Sequence, residues 1–274
     1  MQSIVLMANF SEERERRKGM FGGMAEEYHA VRPGYPHEIF EMLADAGALG
    51  NGMKALEIGC GSGRATERLI EYDLNLCSID PSDEMLRVAR NTVNGIERVR
   101  FEKRMFESYN EERENLDLII AATSWHWVQP SIGYRKAARL LGNNGKLVIL
   151  ANLHPRPIAE FFQRIQTVYR TVVPEWGTLN TNRGTEDVIR DSKEEMEESG
   201  YFGETKVLTY RWKEEYTRER FLRLLGTYSD HRNLGEERLG KLQEGIGQII
   251  DIEYGGVIVK EYETVAYVGT KRRE

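Results

Sequence analysis

The chain is poor in the residues that build covalent or metal-held scaffolds. Two cysteines, Cys60 and Cys77, and five histidines occur in 274 residues. That is too little for a disulfide framework or a clustered zinc site, so no metal is expected, and the cysteine usage fits a reducing compartment. No apolar run approaches the roughly 18 residues that a spanning helix needs, so no membrane segment is expected. Positive charge is not in excess either. With 38 basic and 44 acidic residues the formal charge is −6, which removes any general attraction to nucleic acid or anionic membrane, although a local basic patch escapes such an average. The start, MQSIVLMANFSEERERRKGM, has a short apolar patch with no basic segment ahead of it and no small-residue cleavage pattern, so it does not read as a secretory leader. Together these absences make the cytoplasm the expected location.

What is present is enough apolar residue, 40%, to bury one large core, and no repeat or low-complexity linker divides the chain. One domain over residues 1–274 is the expectation. Segments 54–60, 75–80, 99–103, 116–122 and 146–153 read as strands. The intervening GRATERLIEY, SDEMLRVARNT and SIGYRKAARLLG read as helices by their apolar spacing, the last with a C-cap at Gly142. Alternating strands and helices call for a mostly parallel sheet covered on both faces, with ligands at the carboxyl ends of the strands. After Leu153 the pattern changes to helices near 157–172 and 184–198, a strand over 205–216, an interrupted helical region over 217–250 and a final strand over 256–270. Residues 154–200 read as a helical insert over the site.

The first strand ends in LEIGCGSGRAT. Gly59, Gly61 and Gly63 remove side chains where the strand bends toward a helix, which lets a ligand approach the backbone. A tight turn packed on the sheet would use the same glycines. The pyrophosphate fingerprint G-x-G-x-x-G is broken by Arg64, which weakens a nicotinamide dehydrogenase reading. Asp80 ends the next strand in IDPSDEML, where a carboxylate can accept both hydroxyls of a ribose. Its alternative role is to cap the following helix, for which Ser82 and Asp83 also qualify.

These two motifs resemble the cofactor signature of class I S-adenosylmethionine-dependent methyltransferases. FGGMAEEYHAVRPGYP (21–36), ATSWHWVQP (122–130) and LGTYSDH (225–231) resemble the branch that contains trans-aconitate methyltransferase-like proteins. The resemblance implies an α/β, Rossmann-like fold with a mostly parallel seven-stranded sheet, a terminal antiparallel hairpin, an N-terminal cap over 1–45 and the helical insert. It implies S-adenosyl-L-methionine as cofactor. Glu57 would orient the turn and the amino-acid end of the cofactor, Gly59, Cys60 and Gly61 would make close backbone contacts, and Asp80 would hold the ribose. Ser82 and Met85 would flank ribose and adenine. Met105 stands where the family usually has an acidic or small polar residue, so its thioether would pack on adenine while the Phe106 amide meets a ring nitrogen. Ala122, at the end of the fourth strand, completes the cofactor set. Arg32 could pair with the methionine carboxylate or an anionic substrate, and Tyr28 could close over the cofactor. Surface pairing and packing are their alternatives.

For the acceptor, Trp125 and Trp127 could wall the pocket or simply anchor their loop. His126 between them is the candidate general base, although no orienting carboxylate is visible in sequence. Tyr228, His231 and Arg232 approach the acceptor pocket in the resembling branch, and Arg232 could hold a carboxylate through two hydrogen bonds. The function expected is methyl transfer to a small molecule, for which a carboxylic acid is one candidate. A noncatalytic S-adenosylmethionine-binding regulator and an RNA or protein methyltransferase are the alternatives. The latter is disfavoured by the bulk acidity and by SWHWVQP standing where an asparagine-proline-proline-aromatic motif would lie. The sequence does not indicate an oligomeric state.

Overall fold

The computed structural model describes residues 24–109, 115–155, 159–177 and 184–273. The leader reading at 1–20 and residues 1–23 of the expected cap lie outside the described residues, as do 156–158 and 178–183 of the expected insert.

Seven strands form one sheet: β1 Lys54–Ile58, β2 Asn75–Asp80, β3 Val99–Lys103, β4 Leu116–Ala122, β5 Leu141–Leu153, β6 Lys206–Thr217 and β7 Val257–Thr270. Their spatial order is β3-β2-β1-β4-β5-β7-β6. The first five are parallel, and β7 runs antiparallel to both β5 and β6. The chain therefore leaves β1 in one direction for β2 and β3, then returns to the other side of β1 for β4. That reversal opens a crevice between the carboxyl ends of β1 and β4. The register of the terminal hairpin is marked by charge, because Arg211 lies opposite Glu263 and Lys213 opposite Glu261, the second pair at 2.7 Å. Charged residues along the outer strand also discourage edge-to-edge pairing.

Both faces of the sheet are apolar. Leu56, Ile58, Ile79, Ile119 and Leu147 pack toward α5 (Pro130–Leu140) and α8 (Thr185–Glu198) through Tyr134, Ala137 and Met196. Ala55, Leu76, Leu118, Ile120 and Val148 face the other way, onto Ile39, Phe40 and Leu43 of α2 (His37–Asp45). This alternation along each strand reflects the two-residue period of side chains on a sheet covered on both sides. A third cluster lies over β6 and β7. It joins Val31 of α1 (Ala25–Val31), Phe161 of α6 (Glu160–Arg164), and Phe221 and Leu224 of α9 (Arg218–Gly226) to Leu242 and Ile246 of α11 (Glu236–Tyr254). Partly buried Val168 and Tyr169 of α7 (Gln166–Val172) pack against it. Among the described residues no helix is long and apolar enough to cross a membrane.

The sequence-derived boundaries need three corrections. The helix expected over 63–72 shrinks to α3 (Thr66–Leu69) and one 3-10 turn, because Gly59, Gly61 and Gly63 all adopt positive φ and keep the chain in a turn as far as Ala65. For the same reason Cys60 lies in that turn rather than in β1. Gly142 is not a helix cap. The chain is already extended at Leu141 (φ −72°, ψ 137°), so α5 runs directly into β5 and Gly142 lies within the strand, backed by Asn115.

α8 is fastened to the sheet where fully buried Met196 sits over Gly269, at which a Cβ would lie 2.5 Å from the Met196 sulfur. Met196→Ala should leave a cavity there and lower the unfolding free energy by about 2–4 kcal/mol, read from the urea midpoint. A loss under about 0.5 kcal/mol would show that this contact does not anchor the helix.

Candidate active site

A pocket of about 280 Å³ lies at the carboxyl ends of β1, β2 and β4. Its floor is the glycine turn, and the three glycines serve different ends. A Cβ on Gly59 would stand 2.7 Å from the Ser124 Cβ, and one on Gly63 would stand 3.1 Å from the Ala89 Cα in α4 (Asp83–Thr92). These two permit close packing of the protein on itself. A Cβ on Gly61 would meet nothing within 4 Å, at φ 55°. Gly61 is therefore the glycine whose bare backbone borders open pocket space. Ser124 Oγ donates to the Ile58 carbonyl at 2.5 Å, which ties the end of β4 to the end of β1.

Two buried carboxylates flank the turn. Asp80, 8% exposed, accepts the Gly61 N–H on Oδ2 at 3.0 Å and the Ser82 N–H on Oδ1 at 2.8 Å. It fixes both turns and leaves the helix cap to Ser82, whose Oγ accepts the Met85 N–H. Glu57 is fully buried. Its Oε2 accepts the Thr66 and Ser78 hydroxyls, each at 2.7 Å, while Oε1 has no hydrogen-bond partner. Burial raises the Glu57 pKa to about 7 against the effect of those hydroxyls, with the Asp80 charge adding to the rise. Burial likewise raises Asp80 to about 6, although its two backbone hydrogen bonds oppose the shift.

The first described helix covers this turn. Ala25 packs on Met85 and Val88, Arg64 donates to the His29 carbonyl, and His29 Nδ1 lies 3.2 Å from Ser62 Oγ. At the end of α1, Arg32 donates from Nε and Nη2 to the side chain and carbonyl of Thr227, at 2.9 and 3.0 Å. Its guanidinium sits over the Tyr28 ring at 4.8 Å and the Tyr228 ring at 4.3 Å. No carboxylate among the described residues pairs with it.

The pocket wall brings together Tyr28, Arg32, Glu57, Gly59, Cys60, Gly61, Asp80, Ser82, Met85, Met105, Phe106 and Ala122, the whole set expected for a cofactor, with Trp127 and Tyr228 from the acceptor set. Four expected residues lie elsewhere. Trp125 and His126 line an adjoining cavity of about 330 Å³ between β4, β5 and α8. Trp125 is wedged between Phe106 and Tyr134, where Gly133 leaves room for its ring. His231 is buried in α10 (Ser229–Arg232), its Nε2 2.7 Å from the Tyr169 hydroxyl, and burial pushes its pKa down to about 4, which keeps the ring neutral. Arg232 lies off the pocket wall on the same short helix. The spacing SDHR places a residue on a helix without indicating which way it faces.

Further wall residues have no counterpart among the expected site residues, Tyr35, Ser124, Asn152, His154 and Tyr262 among them. Asn152 and His154 flank the end of β5, so the strand-end rule applied to LANLHP would have found them. Tyr35 bonds the Thr123 hydroxyl at 2.8 Å, and Thr123 has φ 53°, uncommon for a β-branched residue and typical of strain kept at a site. Tyr262 enters only through the register of β7.

Comparison with known proteins follows the same lines. Residues 55–145 match the model of a methyltransferase domain. An uncharacterized methyltransferase of Mycobacterium tuberculosis is 31% identical over 132 residues, 48% of this chain and 51% of that protein. The match thus spans about half the length of that curated relative. Among solved structures, the YcgJ protein of Bacillus subtilis superposes with a TM-score of 0.55 at 18% identity, covering 87% of this chain and 100% of that one. A phosphoethanolamine N-methyltransferase of Haemonchus contortus, in complex with S-adenosyl-L-methionine, has a TM-score of 0.52 at 17% identity and covers 91% of this chain and 57% of that one. A methyltransferase-domain model thus matches residues 55–145, and the seven-stranded sheet that contains them has the fold of these solved structures.

The pocket residues fit the S-adenosylmethionine expected from the sequence. The orphaned Glu57 Oε1 is a buried acceptor with nothing to accept, as a site for an ammonium requires. Each Asp80 oxygen keeps a lone pair beyond its backbone bond for a hydroxyl donor, and Gly61 leaves the backbone bare beside it.

The raised carboxylate pKa gives a signed test. The folded value of Glu57, about 7, lies above its ordinary one. Its contribution to stability is therefore full below about pH 4.5 and is lost as the pH rises through about 7. Glu57→Gln removes this dependence. In the ligand-free protein the variant should match the parent near pH 4.5 and exceed it at pH 8 by about 1–3 kcal/mol, measured by denaturant unfolding across pH. A constant difference at all pH values would contradict the raised pKa.

Proposed function

We propose that the chain transfers the methyl group of S-adenosylmethionine to a small-molecule acceptor. The observation that carries this reading is the uncompensated Glu57 oxygen beside Asp80 and Gly61, at the point where the sheet reverses its strand order. Glu57 takes the ammonium of the cofactor, Gly59, Cys60 and Gly61 its close backbone contacts, and Asp80 its ribose hydroxyls. Ser82, Met85, Met105, Phe106 and Ala122 enclose the nucleoside. Tyr28 closes the methionine end from α1 and Arg32, just beyond that helix, is read at the acceptor end, which makes residues 24–45 the described part of a cap. The described residues within 154–200 contribute the helical insert that limits water access.

When bound, S-adenosylmethionine supplies a methyl group activated by its sulfonium. The chain supplies placement and exclusion of water. Tyr28, Trp127, Tyr228 and Tyr262 present aromatic faces in the wall, and such a face favours a cation by roughly 0.5–2 kcal/mol. His126, on the adjoining cavity, has no part in this arrangement. The acceptor is read as carrying an acidic group, because Arg32 stands in the wall with no carboxylate partner among the described residues, whereas Arg232 stands off it. A planar guanidinium suits a carboxylate held by two hydrogen bonds.

Cofactor binding is tested by calorimetry with two variants. Asp80→Ala should weaken S-adenosylmethionine binding by roughly 10- to 150-fold, the loss of charge-assisted hydrogen bonds worth about 1.5–3 kcal/mol. Gly61→Val should abolish it, because a branched side chain both fills the approach and strains a left-handed residue. Circular dichroism must show each variant folded. Normal affinity in folded Gly61→Val would remove the cofactor from this turn.

Catalysis is tested by transfer of label from methyl-labelled S-adenosylmethionine into metabolite extract, which also identifies the acceptor. Its free acid should be preferred over its methyl ester, with the preference shrinking in Arg32→Lys. Equal use of acid and ester would defeat the acidic reading, and cofactor binding with no transfer to any acceptor would leave a binding protein.

A further inference from the structure

Lys260, on β7, is 4% exposed and has no carboxylate within ion-pair distance among the described residues. Its Nζ lies 3.3 Å from the Tyr228 hydroxyl, and Tyr228 lines the pocket. Three aromatic faces surround the amine, those of Tyr262 at 4.7 Å, Phe162 at 5.7 Å and Tyr228 at 5.9 Å. A lysine that only packed its stem would be expected to carry its head to water. This one ends inside the protein, behind a pocket hydroxyl.

The charged groups around it explain its state. Arg32, whose guanidinium lies 4.3 Å from the Tyr228 ring, opposes a second positive charge. Glu214, the register partner of Lys260 on β6, is engaged by Arg220. The Tyr262 hydroxyl meets that of Tyr216 at 2.9 Å, and His231, next to Tyr228, is held neutral by burial. Burial first, and Arg32 second, push the Lys260 pKa down to about 7. The amine is thus available as a neutral hydrogen-bond acceptor near neutral pH, and the aromatic faces favour its protonated form once a proton arrives.

We infer that Lys260 receives, through the Tyr228 hydroxyl, the proton that the acceptor loses on methylation. This rests on the methyl-transfer reading above and narrows the acceptor's nucleophile to one that bears a proton, a hydroxyl or an amine, with the acidic group at Arg32 serving recognition. The acceptor oxygen or nitrogen forms a bond to the methyl carbon as the sulfur–methyl bond breaks, and its electrons stay on sulfur as a neutral thioether. The acceptor's proton passes to the Tyr228 oxygen while the Tyr228 proton passes to Lys260 Nζ. The positive charge that began on the sulfonium ends on the ammonium. Tyr228 is the catalytic residue of this step, and Lys260 acts through it.

The first test needs no acceptor. In ligand-free protein carrying ¹³C-labelled lysine, the Lys260 signal, assigned by its loss in Lys260→Met, should titrate near pH 7. Titration at the ordinary lysine value, about 10.4, overturns the inference. The second uses the extract fraction that takes up label. Turnover by the parent should rise about tenfold per pH unit below 7 and then level, since the neutral amine is the active form. Lys260→Met and Tyr228→Phe should each lose about 100-fold or more and lose that rise, with S-adenosylmethionine affinity by calorimetry within twofold of the parent. Lys260→Arg, which keeps the charge and cannot accept the proton, should fail to restore turnover. A Lys260→Met profile parallel to the parent, or rescue by arginine, overturns the relay while leaving methyl transfer intact. A parent that binds cofactor but labels no fraction overturns the methyl-transfer reading and the relay with it.

Discussion

Two carboxylates, Glu57 and Asp80, are buried one strand apart where the sheet changes direction, and the geometry around them follows from the need to satisfy them. An ionised carboxylate taken out of water is tolerated only with donors in place. Asp80 obtains two backbone amides, which requires Gly61 and Ser82 to turn their N–H groups toward it. Glu57 obtains two hydroxyls, which requires Thr66 from the following helix and Ser78 from the neighbouring strand. One oxygen is left over. The left-handed glycines, the one-turn helix α3 and the cap at Ser82 are local solutions to this problem, and the remaining acceptor capacity is what the proposed ammonium contact would use.

The cap over this receptor is held by contacts of unequal worth. Arg223 forks onto Glu27 at 2.8 and 2.7 Å, and Arg87 pairs with Glu26. Both pairs are largely exposed, and such pairs contribute at most about 1 kcal/mol. Val31, buried in the third cluster, and Ala25, buried on α4, remove apolar surface from water and do more to fix the helix. Because α1 touches α4 at one end and, through Arg32, Thr227 at the other, it connects the cofactor end of the pocket to the acceptor end.

The cofactor end was legible in sequence because it is local. Each strand-to-helix unit carries its own signal: LEIGCG, IDPSDE and the end of LDLIIAA each supply wall residues within a few positions of a strand terminus, and parallel order then brings them together. Strand limits were legible for the same reason, since β2, β3 and β4 are bounded by turn residues. The acceptor end was not. Tyr262 and Lys260 face the third cluster only because β7 pairs with β6 in one register, and period-two alternation cannot choose that register when most of the strand is apolar. SWHWVQP showed two tryptophans but not that the 3-10 turn Trp125–Trp127 sends one ring into the α5 contact and the other to the pocket.

The two ends also differ in charge, and that difference gives the pocket a direction. Glu57 and Asp80 make one end an acceptor of positive charge. Arg32, without a carboxylate partner among the described residues, makes the other end hostile to it. A ligand with a positive amino group is drawn to the first end and orients the rest of itself accordingly, before any shape-specific contact is made. Between them lie aromatic faces, which tolerate a cation without the competing pull of a carboxylate. A carboxylate at the acceptor end would hold the sulfonium in its ground state and keep Lys260 protonated by pairing with it. With none beside it among the described residues, burial and Arg32 favour the uncharged amine, so the feature that looks least satisfied in the fold, a buried lysine with no partner acid among the described residues, is the one most consistent with the charge movement that the proposed methyl transfer requires.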